Sequence, residues 1–203
     1  METERSSTRF SASEEELYRG YCYRLLARLL GAPGDDELMA FLRGLEGDDT
    51  ELGRAIANLA EVAHHTTVEE AVEEYETLFI GVTEGELIPF GSYYQAGALN
   101  EKPLSDLRSD MNKLGIARTE GTAESEDHIA SLFEIMEGMI TGAFGKPVPL
   151  AEQYRFFDAH VGCWAPVFFD DLEAARSARL YMPVGRIGKL FMNVEKEAFT
   201  MAA

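Results

Sequence analysis

The densest run of reactive side chains is Glu124-Ser125-Glu126-Asp127-His128. An acid beside an imidazole is the raw material of general acid–base chemistry. Asp127 and His128 are sequence neighbours, however, so they do not form a catalytic pair by themselves. Glu124 and His128, at i, i+4, do share a helical face. No serine or cysteine in a recognisable nucleophile motif accompanies them. The competing reading is structural. Carboxylates in a first helical turn lie at the positive end of the helix dipole, a contribution of about 0.3–1 kcal/mol each. A helix cap and a small hydrolase using Asp127 and His128 are both open on spacing alone.

Other chemistries find less support. The four histidines, His64, His65, His128 and His160, contain no i, i+3 or i, i+4 pair of the kind a helical metal site needs. Neither a G-x-x-x-x-G-K-[ST] loop nor a G-x-G-x-x-G loop opening a helix is present. Cys22 and Cys163 lie far apart and form no C-x-x-C pair, so two buried thiols in a reducing compartment are expected. No metal and no cofactor is therefore expected.

Charge is more informative. The chain has 203 residues, with 36 acidic and 18 basic side chains and a net charge of -18. That balance argues against nucleic acid or an anionic membrane as partner, since both need clustered Lys and Arg. No apolar run approaches the roughly 20 residues of a membrane helix, so no stable insertion is expected. The N-terminus has no apolar stretch behind a basic start and does not read as a secretory signal. Between Ala55 and Glu101 there is no Lys or Arg, while nine glutamates carry half of the net charge. A solvated helix face and a surface for a peptide basic at one end and apolar at the other both fit this pattern.

The elements that must position these residues read as all-α. Residues 1–12 form a loose, flexible polar tail, and 13–203 form one helical bundle of eight or nine helices. Ser13 and Glu16 make a capping box for a helix ending near Gly31 and Pro33. Helices are expected over Asp36–Leu45 and Glu51–His64. Thr67 and Glu70 make a second capping box, followed by the apolar stripe Val68, Ala71, Val72, Tyr75, Leu78 and Phe79, with Gly81 as the stop. Phe79 fits either the core or a groove. Six Gly and Pro residues break residues 81–103 into one long irregular loop, too apolar for a plain linker because it displays Leu87, Ile88, Phe90, Tyr93 and Tyr94. Further helices are expected from Pro103 to Leu114, from Glu124 through Ile140, over Ala151–His160 and Ala165–Ala178, and from near Pro183. Residues 116–123 form a flexible connection between two of them.

Taken together, these motifs resemble the TorD/DmsD family. The resemblance rests on Tyr75, Leu78 and Phe79, then Pro89 with Ser92 and Tyr93, then Pro103-Leu104 with Leu107-Arg108, then Glu124 to Ile129 with Met136. His160, Trp164, Pro166 and Tyr181-Met182-Pro183 complete it. It spans roughly residues 17–199. It departs from the family at Ser125, where proline is frequent, and at Phe90-Gly91, where some relatives carry tryptophan. The resemblance implies an all-helical cytoplasmic chaperone with no catalytic site. Such a chaperone binds the precursor of a molybdenum-containing oxidoreductase through its twin-arginine leader and assists cofactor insertion before export. The residues it implicates are Tyr75, Leu78, Phe79, Pro89, Asp127 and His128. On physical grounds Phe90 and Tyr93 would line a groove with Tyr75, Phe79 and Pro89, and Glu124, Glu126 and Asp127 would receive the arginines. A second possibility is an assembly factor that grips the mature body of its client. Weak guanine-nucleotide binding, and a monomer or a dimer exchanging domains about 116–123, are implied by the family alone.

Overall fold

Four helices, those starting at Asp36, Glu51, Val68 and Ile129, begin where the sequence supplies a side-chain acceptor for the orphan N–H groups of a first turn. Asp35 accepts from the Leu38 N–H to open α2 (Asp36–Arg43), and Thr50 from the Gly53 N–H to open α3 (Glu51–His64). The box at α4 (Val68–Tyr75) is complete, with Thr67 and Glu70 each accepting from the other's backbone. The computed structural model describes residues 14–82, 84–117 and 125–202. The other helices are α1 (Glu14–Gly31), α5 (Gly91–Ala96), α6 (Lys102–Lys113), α7 (Ile129–Thr141), α8 (Leu150–His160), α9 (Ala165–Ala174) and α10 (Tyr181–Ala202). Among the described residues there is no strand, only an isolated antiparallel bridge between Phe90 and His128. The all-α expectation holds. The proposed tail at 1–12, the Ser13 cap, Glu124 and most of the 116–123 connection lie outside the described residues.

The core is one contiguous cluster centred on α7. Ile129, Leu132, Phe133, Met136, Met139 and Ile140 are all buried there. α1 packs along α7, and α10 packs on α9 and α3. Tyr23 joins the layers edge-on to Phe133 and Phe191, at 5.4 and 4.8 Å. Glu195 of α10 is wholly buried and accepts from both Arg19 and the Tyr23 hydroxyl.

Four expectations change. The 81–103 stretch is not one irregular loop but contains α5, a helix too short to sustain itself, which packs on α6 and is bonded by Asp127 ahead of α7. The α4 stripe does not run on as α-helix: residues Glu76–Ile80 form a π-helical turn, closed by the Gly81 N–H donating to the Glu76 carbonyl. Gly81 then turns the chain at φ +62°, a conformation that favours glycine. α7 starts at Ile129 rather than Glu124, because the backbone of 127–129 is paired with that of 89–91. Glu126 and Asp127 therefore do not sit in a first helical turn. α9 ends at Ala174 rather than Ala178, because two glutamates capture the backbone that follows it. Glu86 accepts from the N–H groups of Arg176 and Ser177, and Glu74 from those of Arg179, Leu180 and Tyr181.

Candidate binding surface

The residues singled out by sequence separate into three layers. Leu78 and Tyr75 are core. Leu78 is fully buried, and the Tyr75 hydroxyl donates to the Leu30 carbonyl at 3.3 Å. Phe79 is half-buried and packs edge-on against Tyr75 and Tyr181, with ring centroids 5.0 and 5.4 Å away. It thus covers the core with one face and leaves part of the other to solvent.

Pro89, Phe90, Asp127 and His128 form the second layer and come together across 35 residues or more of sequence. The Gly91 N–H donates to the Asp127 carbonyl and the Ile129 N–H to the Pro89 carbonyl, both at 2.9 Å. The Asp127 carboxylate accepts from the Ser92 N–H at 2.8 Å through Oδ2, and its Oδ1 is buried without a partner. Phe90 meets the His128 ring edge-on at 4.9 Å. His128 turns its Nδ1 to its own helix, accepting from the Ala130 N–H at 3.2 Å as the N-cap of α7. Burial pushes its pKa down to about 4 against a smaller upward pull from Asp127, so the ring is neutral. No hydrogen bond joins Asp127 to His128, and both side chains are engaged with backbone. The pair is built as two caps and not as a proton relay. Glu126 grips Arg108 through both carboxylate oxygens, at 3.0 and 2.7 Å.

Tyr93 is the third layer. It is 39% exposed on α5 and stands beside Tyr94. Tyr94 in turn stacks on Trp164 and donates to Asp171. Ile80, Val82 and Tyr93 are the exposed large apolar side chains of the segment 76–94. Glu76 and Glu84 are exposed in the same segment, which contains no Lys or Arg.

The acidic window is not uniform once folded. Glu70 works in the α4 cap, and Glu74 and Glu86 bind backbone N–H groups. A polar cleft of about 440 Å³ beside α4 brings Arg176 and Arg179 against Glu70 and Glu73. The fold thus supplies cations on the α4 side of the window, while Glu61, Glu69, Glu76, Glu84 and Glu101 stay exposed. Sequence reading missed Ser92, Glu74 and Glu86 as structural acceptors and donors, since no spacing pattern announces a partner some 35 to 107 residues away. The cysteines also differ from expectation, because Cys22 is half-buried and Cys163 is exposed. Burial still pushes the Cys22 thiol up to about 11 and raises that of Cys163, which disfavours the reactive thiolate. Among the described residues there is no helix long and apolar enough to cross a membrane, and no group of three potential metal ligands.

Residues 45–170 match the family model described as nitrate reductase delta subunit. The chain is similar to the chaperone protein TorD of Vibrio cholerae serotype O1, 24% identical over 172 residues that cover 79% of this chain and 78% of the relative. It is 30% identical to the chaperone protein TorD of Photobacterium profundum over 152 residues, covering 68% and 70% of the two chains. In fold it is similar to a structure from Archaeoglobus fulgidus of a protein assigned to redox enzyme maturation. There the TM-score is 0.56 at 17% identity, covering 93% of this chain and 99% of the other.

Proposed function

The chain belongs to the nitrate reductase delta subunit family alongside the TorD chaperones, and on that premise we propose that it is a maturation chaperone for a molybdenum-containing redox enzyme. Its relatives are named chaperones, so its work is to bind a client rather than to turn one over. On this reading it needs no cofactor of its own. It acts in the cytoplasm, before export, on a precursor whose leader carries paired arginines followed by an apolar stretch.

The observation that carries this reading is the set of exposed apolar and acidic side chains in segment 76–94. Ile80, Val82 and Tyr93 offer apolar area, and Glu76 and Glu84 offer charge of the sign that arginine seeks. A leader of that composition is complementary in both respects. The test is the joint replacement of Ile80, Val82 and Tyr93 by serine. Affinity for a synthetic leader peptide is expected to fall about tenfold or more, as for loss of interface anchors. Folding stability should stay within about 0.5 kcal/mol per site, because the side chains are exposed. Leu78→Ala is the contrast, costing about 2–5 kcal/mol of stability as a core truncation. Unchanged leader affinity in the triple variant contradicts the assignment.

A further inference from the structure

We infer that Asp127 is a positioning residue that latches α5 to the start of α7 and so sets the attitude of Phe90 and Tyr93, rather than a receptor for a client arginine. The inference rests on the leader-binding reading of the surface.

Four observations carry it. Asp127 is only 3% exposed, and Oδ2 is already occupied by the Ser92 N–H. A guanidinium fork takes both oxygens of a carboxylate, and at this burial a client arginine could reach them only if the site opened. Second, α5 has six residues and cannot persist alone, and the first two N–H groups of its first turn go to Asp127. Gly91 donates to the Asp127 carbonyl and Ser92 to its carboxylate. Third, the latch is completed by the Ile129 N–H on the Pro89 carbonyl and by the Phe90 ring on His128. Fourth, the docked position is close. A Cβ on Gly91 would lie 3.1 Å from the Trp164 indole nitrogen, and Tyr94 stacks on the same indole at 5.3 Å. Release of the α5 N-terminus would move Phe90, Tyr93 and Tyr94 together, because all three lie within four residues of Ser92.

The nearby cation does not change this assignment. Arg108 is held by Glu126 and so does not compete with the Ser92 N–H for the Asp127 carboxylate. The partnerless Oδ1 is buried beside a bonded Oδ2, an arrangement in which asparagine can keep the acceptor and lose the charge.

Full-length Asp127→Asn and Asp127→Ala separate holding from charge. Amide hydrogen exchange at Gly91 and Ser92 reports the latch directly. So does emission from Trp164, the only tryptophan. A synthetic leader peptide with paired arginines reports binding. Asparagine caps a helix about as well as aspartate, so Asp127→Asn is expected to keep Ser92 protection and leader affinity within about threefold of wild type. Asp127→Ala is expected to speed Ser92 exchange and weaken leader binding about tenfold each, the fold-change of a lost cap. Two results overturn the inference. One is an Asp127→Asn variant that keeps Ser92 protection yet binds as weakly as a charge-deleted site. The other is Ser92 exchange that does not respond to Asp127→Ala. If alanine prevents folding, the asparagine variant alone decides. If the wild-type chain binds no leader, the leader reading fails separately, and the exchange comparison still decides whether Asp127 holds α5.

Discussion

His128 is held neutral by burial, and that has a consequence for acid stability. Its pKa falls from an ordinary 6.5 to about 4 in the folded chain. The unfolded chain therefore takes up the proton first. The stability that depends on a neutral His128 is full above about pH 6.5 and is lost as pH drops through 6.5 toward 4, on the order of 2 kcal/mol by pH 5. His128→Asn keeps an acceptor for the Ala130 N–H and removes the titration. Urea unfolding at pH 7 and pH 5 should show a smaller loss of stability in this variant than in the wild type. Equal losses would mean that His128 is not the group responsible. The same local geometry explains what sequence could and could not say about the Asp127-His128 pair. Their adjacency showed that they are no ready-made dyad. That both are caps depends on Ser92 and Ala130, and only the first of these lies beyond the reach of local pattern.

At the scale of elements, Glu74 and Glu86 decide where α9 ends and α10 begins. Three N–H groups converge on the buried Glu74 carboxylate, which joins α4 to the first turn of α10. Pro183, in that first turn, is tolerated because the turn's donors have no helical partner in any case. Glu74→Ala strands these donors and should cost about 1–3 kcal/mol. Glu74→Gln keeps the oxygen that receives two of them and should cost less. Denaturant midpoints check both, and an unchanged midpoint in Glu74→Ala contradicts the clamp. Helices whose stripe and cap are local, such as α3 and α4, were legible in sequence. α5 was not, because it runs only six residues, from Gly91 to Ala96, and the stabilising bonds come from Asp127. The π turn at 76–80 was hidden for a related reason. Tyr75, Leu78 and Phe79 satisfy helical spacing whether the ladder closes four or five residues back.

For the whole molecule, fold and family were legible, and the client surface was legible only in part. The all-α reading follows from repeated 3.6-residue periodicity with Gly and Pro stops, and one continuous core confirms it. The cation-free window from Ala55 to Glu101 fitted a solvated helix face and a basic partner alike, and folding brings Arg176 and Arg179 to its α4 side. Exposed acidic and large apolar side chains occur together in sequence within 76–94, at Glu76, Ile80, Val82, Glu84 and Tyr93. Of the carboxylates expected to receive arginines, Asp127 is buried and Glu126 is paired to Arg108. Glu124, the third, lies outside the described residues, and Glu76 and Glu84 are exposed carboxylates in the same segment as Ile80 and Val82. Calorimetric titration of the purified chain with a redox-enzyme precursor, intact and with its leader removed, tests the central claim most directly. The account predicts saturable binding of the intact precursor and loss of that binding without the leader. Equal binding of the leaderless form would contradict leader recognition and point to the mature body of the client.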